Sequence, residues 1–161
     1  MTAAPTGKRL GVIALICIAA VAAALLSQYG FGMEPCPWCV LQRTIFLAIA
    51  AVCVIGMLLR GAAARAGAAG LVVLLALGGI AAALWQHFYA AASASCNLTL
   101  ADKILNALKL PSLLPDVFSP RATCADAAVN LFGIPYDFWS LGLFVLLGIV
   151  ALTMLAGRRV R

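Results

Sequence analysis

Four long apolar runs dominate this chain and leave few folds open to it. They fall at about residues 10–27, 40–59, 67–91 and 138–156. Crossing a bilayer as a helix takes about 20 apolar residues, so each run is long enough. A backbone in hydrocarbon must satisfy its own hydrogen bonds, which favours helices. The ten-residue alternation of a membrane β-barrel is absent. The sequence therefore predicts an all-α integral membrane protein, a four-helix transmembrane bundle, with residues 1–161 as a single membrane domain. Composition agrees: 65% of residues are apolar and 10% charged, against about half and a quarter in soluble domains. The first run is longer than the apolar core of a typical signal peptide and reads as a permanent span.

The net charge of +6 does not indicate a nucleic-acid binder, because the basic residues sit at the ends of the spans rather than in a stripe. Lys8 and Arg9 precede the first run, Arg60 and Arg65 lie between the second and third, and Arg158, Arg159 and Arg161 follow the fourth. No acid stands among them. Glu34, Asp102, Asp116, Asp126 and Asp137 all lie on the other side, with Arg43, Lys103, Lys109 and Arg121. The positive-inside rule then puts both termini in the cytoplasm. Outer loops at about residues 28–39 and 92–137 face the opposite compartment. Trp38, Trp85, Trp139, Tyr29, Tyr89 and Tyr136 all fall at that outer end. They read either as a one-sided interfacial belt or as the lining of a pocket.

The second outer loop carries a short amphipathic helix within residues 98–110. Ala101, Ile104, Leu105 and Leu108 share one face, and Thr99 with Asp102 has the pattern of a capping box. Its apolar face suits lying flat on the membrane. Pro111, Pro115 and Pro120 are expected to break it into extended chain.

Six cysteines carry most of the available chemistry. Cys17 and Cys53 fall mid-span and read as small buried hydrophobes. Cys36, Cys39, Cys96 and Cys124 lie in the outer loops, where an oxidising compartment lets disulfides persist. Four cysteines allow three pairings; the favoured one joins Cys36 to Cys39 and Cys96 to Cys124. Zinc would accept four thiolates, but only one pair has knuckle spacing. A c-type haem needs His after Cys39, where Val40 stands. No metal and no haem are expected. Closing the Cys96–Cys124 loop stabilises by about 3–4 kcal/mol in the chain-entropy account. A Cys36–Cys39 bond closes almost no loop, so that pair points to redox work. Cys39 also sits at the start of a helix, whose dipole favours a thiolate, and Arg43 is one turn further on the same face.

The stretch PCPWCVLQR, residues 35–43, resembles the C-x-x-C-x-x-x-R pattern of the disulfide bond formation protein B (DsbB) family. The second cysteine pair, the four spans and Trp139-Ser-Leu-Gly at the opening of the last span extend the resemblance over nearly the whole chain. It implies a bacterial inner-membrane oxidoreductase with catalytic loops facing the periplasm. Such an enzyme reoxidises a soluble DsbA-like thiol oxidase and passes the electrons to ubiquinone or menaquinone. It further implies that Cys96 forms the mixed disulfide with the partner, Cys124 attacks Cys36, and Cys39 is left as a thiolate facing the quinone. Arg43 would stabilise that thiolate, and Gln86 and His87 stand where a quinone carbonyl could be bound. Two other readings compete. A vitamin K epoxide reductase-like enzyme also uses four cysteines, but its quinone-facing pair lies late in the chain. A disulfide-stapled membrane scaffold would have no redox partner.

Overall fold

The computed structural model describes residues 3–59, 61–92 and 99–159. Cys96, Arg60 and Arg161 lie outside the described residues. Four helices long and apolar enough to cross a membrane form the body: α1 (Ala3–Phe31), α2 (Pro37–Leu58), α3 (Ala62–Trp85) and, after the outer loop, the last helix, Tyr136–Arg159. A π-helical turn, Gln86–Ala90, continues α3. The outer loop contributes α4 (Leu100–Ala107), α5 (Leu110–Leu113) and α6 (Pro115–Phe118). It ends in a hairpin of β1 (Asn130–Leu131) and β2 (Ile134–Pro135), which leads into the last helix, α7.

Helix α2 packs on α1 and α3, and α3 packs on α7. The core runs down the middle through Leu10, Ile13, Cys17, Ile49, Cys53, Val72, Phe144 and Leu147. Cys17 and Cys53 are fully buried there. The outward faces carry exposed apolar side chains, such as Leu15 and Ile18 on α1, Leu74 on α3 and Ile149 on α7. That inversion of the soluble pattern suits a lipid solvent. Small residues permit close contact. A Cβ at Gly79 would come within 2.5 Å of the Phe144 ring, and that ring stacks on Phe46 at 4.1 Å.

The helices overrun the apolar stretches. Helix α1 extends from Ala3 to Phe31, because nothing in the flanking sequence breaks it before Gly32, whose φ of +67° is left-handed. The first outer loop is consequently shorter than expected, with residues 32–36 between helices.

Helix α4 forms with both bonds of its capping box. Asp102 N–H donates to Thr99 Oγ1 at 3.2 Å, and Thr99 N–H donates to Asp102 Oδ2 at 2.8 Å. Part of its apolar face packs on the protein: Ala101 and Leu105 are buried, Leu105 against Val40 and Phe118, while Leu108 stays exposed. The helix thus roofs the outer end of α2. Of the three prolines only Pro120 lies in non-helical chain, after Ser119 in extended backbone. Pro111 and Pro115 open the one-turn helices α5 and α6, since a proline at the first helical positions loses no hydrogen bond. The β1–β2 turn places Phe132 and Gly133 at φ +53° and +78°, the geometry of a tight hairpin.

Candidate active site at the outer end of the bundle

The C-P-W-C segment builds its own helix start. Cys36 is the N-cap of α2, extended at φ −81° and ψ 168°, and Pro37 takes the first helical position. The Cys36 sulfur does what a Ser or Asp oxygen usually does: it accepts the Cys39 N–H at 3.3 Å. Its sulfur also lies 3.1 Å from that of Cys39. Both are unbonded thiols, as is Cys124.

The second outer loop brings Cys124 to the same point. Arg121 and Ala122 donate their backbone N–H groups to the Pro35 carbonyl at 2.9 and 3.3 Å, tying the two outer loops together. Cys124 then stands in hydrogen-bonding contact with Cys36 and accepts the Trp38 backbone N–H. Two of the free N–H groups at the start of α2 therefore point at sulfur, where the helix favours negative charge. Hydrogen bonding to Cys124 and Cys39, together with burial, pushes the Cys36 thiol up. The hydrogen bond from Cys36 holds Cys124 below the ordinary thiol range, although burial opposes this. Cys36 thus stands between two sulfurs, in hydrogen-bonding contact with both.

Cys39 borders a cavity of about 680 Å³ lined by α1, α2, α7 and the outer loops. Apolar contributors include Ala20, Val21, Phe46 and Leu143, and polar ones include Gln42, Arg43, Gln86, Tyr136 and Ser140. Arg43 is buried. One of its terminal nitrogens donates to Gln28 Oε1 at 3.1 Å and to the Val117 carbonyl at 2.6 Å. Among the described residues, Arg43 Nε and Gln28 Nε2 are buried donors without a partner.

The π-helical turn separates two neighbours that the sequence grouped. Gln86 is buried and donates to the Cys39 sulfur at 3.2 Å. His87 turns away, pairs its Nδ1 with Asp137 Oδ2 at 2.9 Å, and lines a smaller cavity that also touches Cys124. Asp137 borders both cavities. The outer aromatics divide as well: Tyr136 and Trp139 line the large cavity, whereas Trp38, Trp85 and Tyr89 form a separate stack.

Sequence reasoning missed Gln28, Gln42, Asp137 and Ser140. The available signal was polarity within or beside apolar runs, since such residues in a membrane seek partners or a site. Among the described residues, no three His, Cys, Asp or Glu side chains cluster to hold a metal ion.

A sulfur trio at the outer end of a four-helix membrane bundle narrows the field, and comparison with known proteins decides it. The family model described as disulfide bond formation protein DsbB matches residues 8–154. This chain belongs to the DsbB family. The disulfide bond formation protein B of Burkholderia pseudomallei (strain 1106a) is 34% identical over 154 residues, covering 94% of this chain and 90% of that one. Disulfide bond formation protein B 1 of Pseudomonas savastanoi pv. phaseolicola is 35% identical over 140 residues, covering 86% and 82%. The protein of that name from Aromatoleum aromaticum is 31% identical over 148 residues, 89% of each chain. As a DsbB-family member, the chain is a multi-pass bacterial membrane oxidoreductase of disulfide bond formation.

Proposed function

We propose that this DsbB-family chain reoxidises a soluble periplasmic thiol oxidase of the DsbA type and passes the electrons to a quinone in the inner membrane. Its termini would face the cytoplasm and its cysteine-bearing loops the periplasm. The observation that carries this reading is the placement of the Cys36 sulfur between Cys124 and Cys39, with Cys39 on the wall of a largely apolar cavity.

The thiol chemistry follows from that order. The reduced partner's thiolate attacks Cys96 of a Cys96–Cys124 disulfide, giving a mixed disulfide and a Cys124 thiolate. Cys124, which accepts the Trp38 backbone N–H at the start of α2, attacks Cys36 of a Cys36–Cys39 disulfide. The Cys124–Cys36 bond forms and Cys39 leaves as a thiolate. The partner's second thiolate then displaces Cys96 and the partner departs oxidised. Cys96 attacks Cys124, restoring the loop disulfide and leaving Cys36 and Cys39 reduced. Each step exchanges one disulfide for another, so electrons move inward in pairs.

The cavity residues fit a quinone. Its walls are mainly apolar, and the orphaned donors Arg43 Nε and Gln28 Nε2 call for an acceptor such as a carbonyl oxygen. Bound there, a quinone supplies the two-electron acceptor that recharges the Cys36–Cys39 disulfide. Arg43 would hold it and favour negative charge at Cys39 and on the ligand. Gln86 orients toward Cys39, and His87 acts through Asp137. Ubiquinone and menaquinone share the carbonyl chemistry that these donors recognise.

The test is reconstitution of the purified protein with a reduced DsbA-type partner and quinone. Partner thiols and quinone absorbance are expected to fall together, and Cys39→Ala to stop both. A quinone spectrum unchanged during exposure to reduced partner would overturn the reading and leave a disulfide-stapled scaffold.

A further inference from the structure

Three polar side chains from three helices form one directed chain that ends on Cys39. Ser140, on α7, sets its hydroxyl against Gln42 Oε1 and the Asp137 carbonyl, which share its single proton. Gln42, on α2, donates Nε2 to Gln86 Oε1 at 2.7 Å. Gln86, at the π-helical turn, donates Nε2 to the Cys39 sulfur at 3.2 Å. Both glutamines are more than nine-tenths buried.

An amide has one accepting and one donating end. With its oxygen taken by Gln42, Gln86 can present only its NH₂ group to Cys39. Gln42 is favoured in the orientation that gives its NH₂ to Gln86 when its oxygen faces a donor, and the Ser140 hydroxyl, shared with the Asp137 carbonyl, stands there. The polarity at the sulfur is therefore fixed two residues away. We propose that Gln42, backed by Ser140, is a positioning residue that holds the Gln86 amide in its donating orientation, ready for the sulfur when Cys39 carries negative charge.

This rests on the reading in which Cys39 is released as a thiolate facing the electron acceptor. A hydrogen bond to a charged sulfur is stronger than one to a neutral thiol, and serial donors polarise one another in a low dielectric. The chain would thus act at the moment the Cys36–Cys39 bond opens. Arg43 supplies net charge to the same sulfur; the amides supply aligned dipoles without a further charge in the span. Cys36, Cys124, Arg43 and Tyr136 also act on Cys39, Asp137 borders its cavity, and all remain in the variants below.

The test reads Cys39 directly, in fully reduced, quinone-free protein. Iodoacetamide labelling is followed at Cys39 by peptide mass spectrometry across pH. Gln42→Met keeps the volume and removes the amide. It is expected to slow labelling at neutral pH by about tenfold, the worth of one hydrogen bond to a charged group, while the rate at high pH stays as in the native protein. A merely structural role would instead change the high-pH rate.

Gln42→Glu keeps the shape, so it serves also if Gln42→Met fails to fold. A protonated Glu still donates to Gln86 and accepts from Ser140. A carboxylate accepts only, and turns the Gln86 oxygen toward Cys39. Labelling of Gln42→Glu is expected to match the native protein at acid pH and fall behind it as the carboxylate forms. Native labelling profiles in the folded variants would overturn the proposal. A native protein that fails to reduce quinone, yet shows these shifts in its variants, would overturn the electron-acceptor reading and leave the positioning role intact.

Discussion

Arg43 has two attachments of different kinds. Its charge acts on Cys39, and one nitrogen bridges Gln28 on α1 and the Val117 carbonyl in the outer loop. Arg43→Gln is expected to raise the quinone KM by about tenfold or more, as loss of a buried charged donor implies. It is also expected to speed amide exchange around residues 117–119, where the loop loses its anchor. Native quinone kinetics with faster exchange would make Arg43 a loop anchor alone. Cys36 gives a second prediction, with its sign fixed by hydrogen bonding. Cys124 is held low by the Cys36 thiol, so Cys36→Ala should return it upward and shrink its thiolate fraction at neutral pH. The labelling midpoint of Cys124 is expected to move to higher pH, and the high-pH plateau corrects for altered access. The C-x-x-C and the arginine four residues later were legible because their relation lies within one helix start. Gln28, Gln42 and Ser140 were not, because each takes its meaning from a partner on another helix.

Helix α3 touches α7 through an absence of side chain. Gly79 leaves room for Phe144, and Phe144 backs Phe46 on the cavity wall. Gly79→Ala is expected to cost about 1–3 kcal/mol through overpacking, read as a lower Tm in detergent. Truncating the ring in Gly79→Ala with Phe144→Leu should recover part of the loss, because the two sites are coupled. A Tm unchanged by Gly79→Ala would show that the helices slide apart without penalty. The four spans could be read from hydropathy alone, and α4 from its capping box and apolar face. What covers that face could not: lipid and protein present the same apolar surface to Ala101 and Leu105. The π-helical turn was equally hidden, since nothing in Gln86–Ala90 marks it locally, yet it sends Gln86 to the Cys39 sulfur and His87 to Asp137.

Four crossings put residues 32–36 and the long loop at one end of the bundle, and the α2–α3 link at the other. With Lys8, Arg9 and Arg65 at the link end, the proposed orientation, with the cysteine loops outside, follows the charge rule. An impermeant thiol reagent applied to intact, reduced cells is expected to label Cys124 and to spare Cys17 and Cys53 in the core. A cysteine introduced beside Arg65 should be labelled only after the cells are opened; labelling from outside would reverse the orientation. Within the outer end, Cys36, Cys39 and Cys124 form a set of three around a single central member. Three is odd. Any bond that Cys36 makes to one neighbour leaves the other single, so this cluster cannot be saturated by its own members. Whichever of its bonds is closed, one sulfur of the three is left over. A fourth sulfur, that of Cys96 in the proposed exchange, is needed to make the count even.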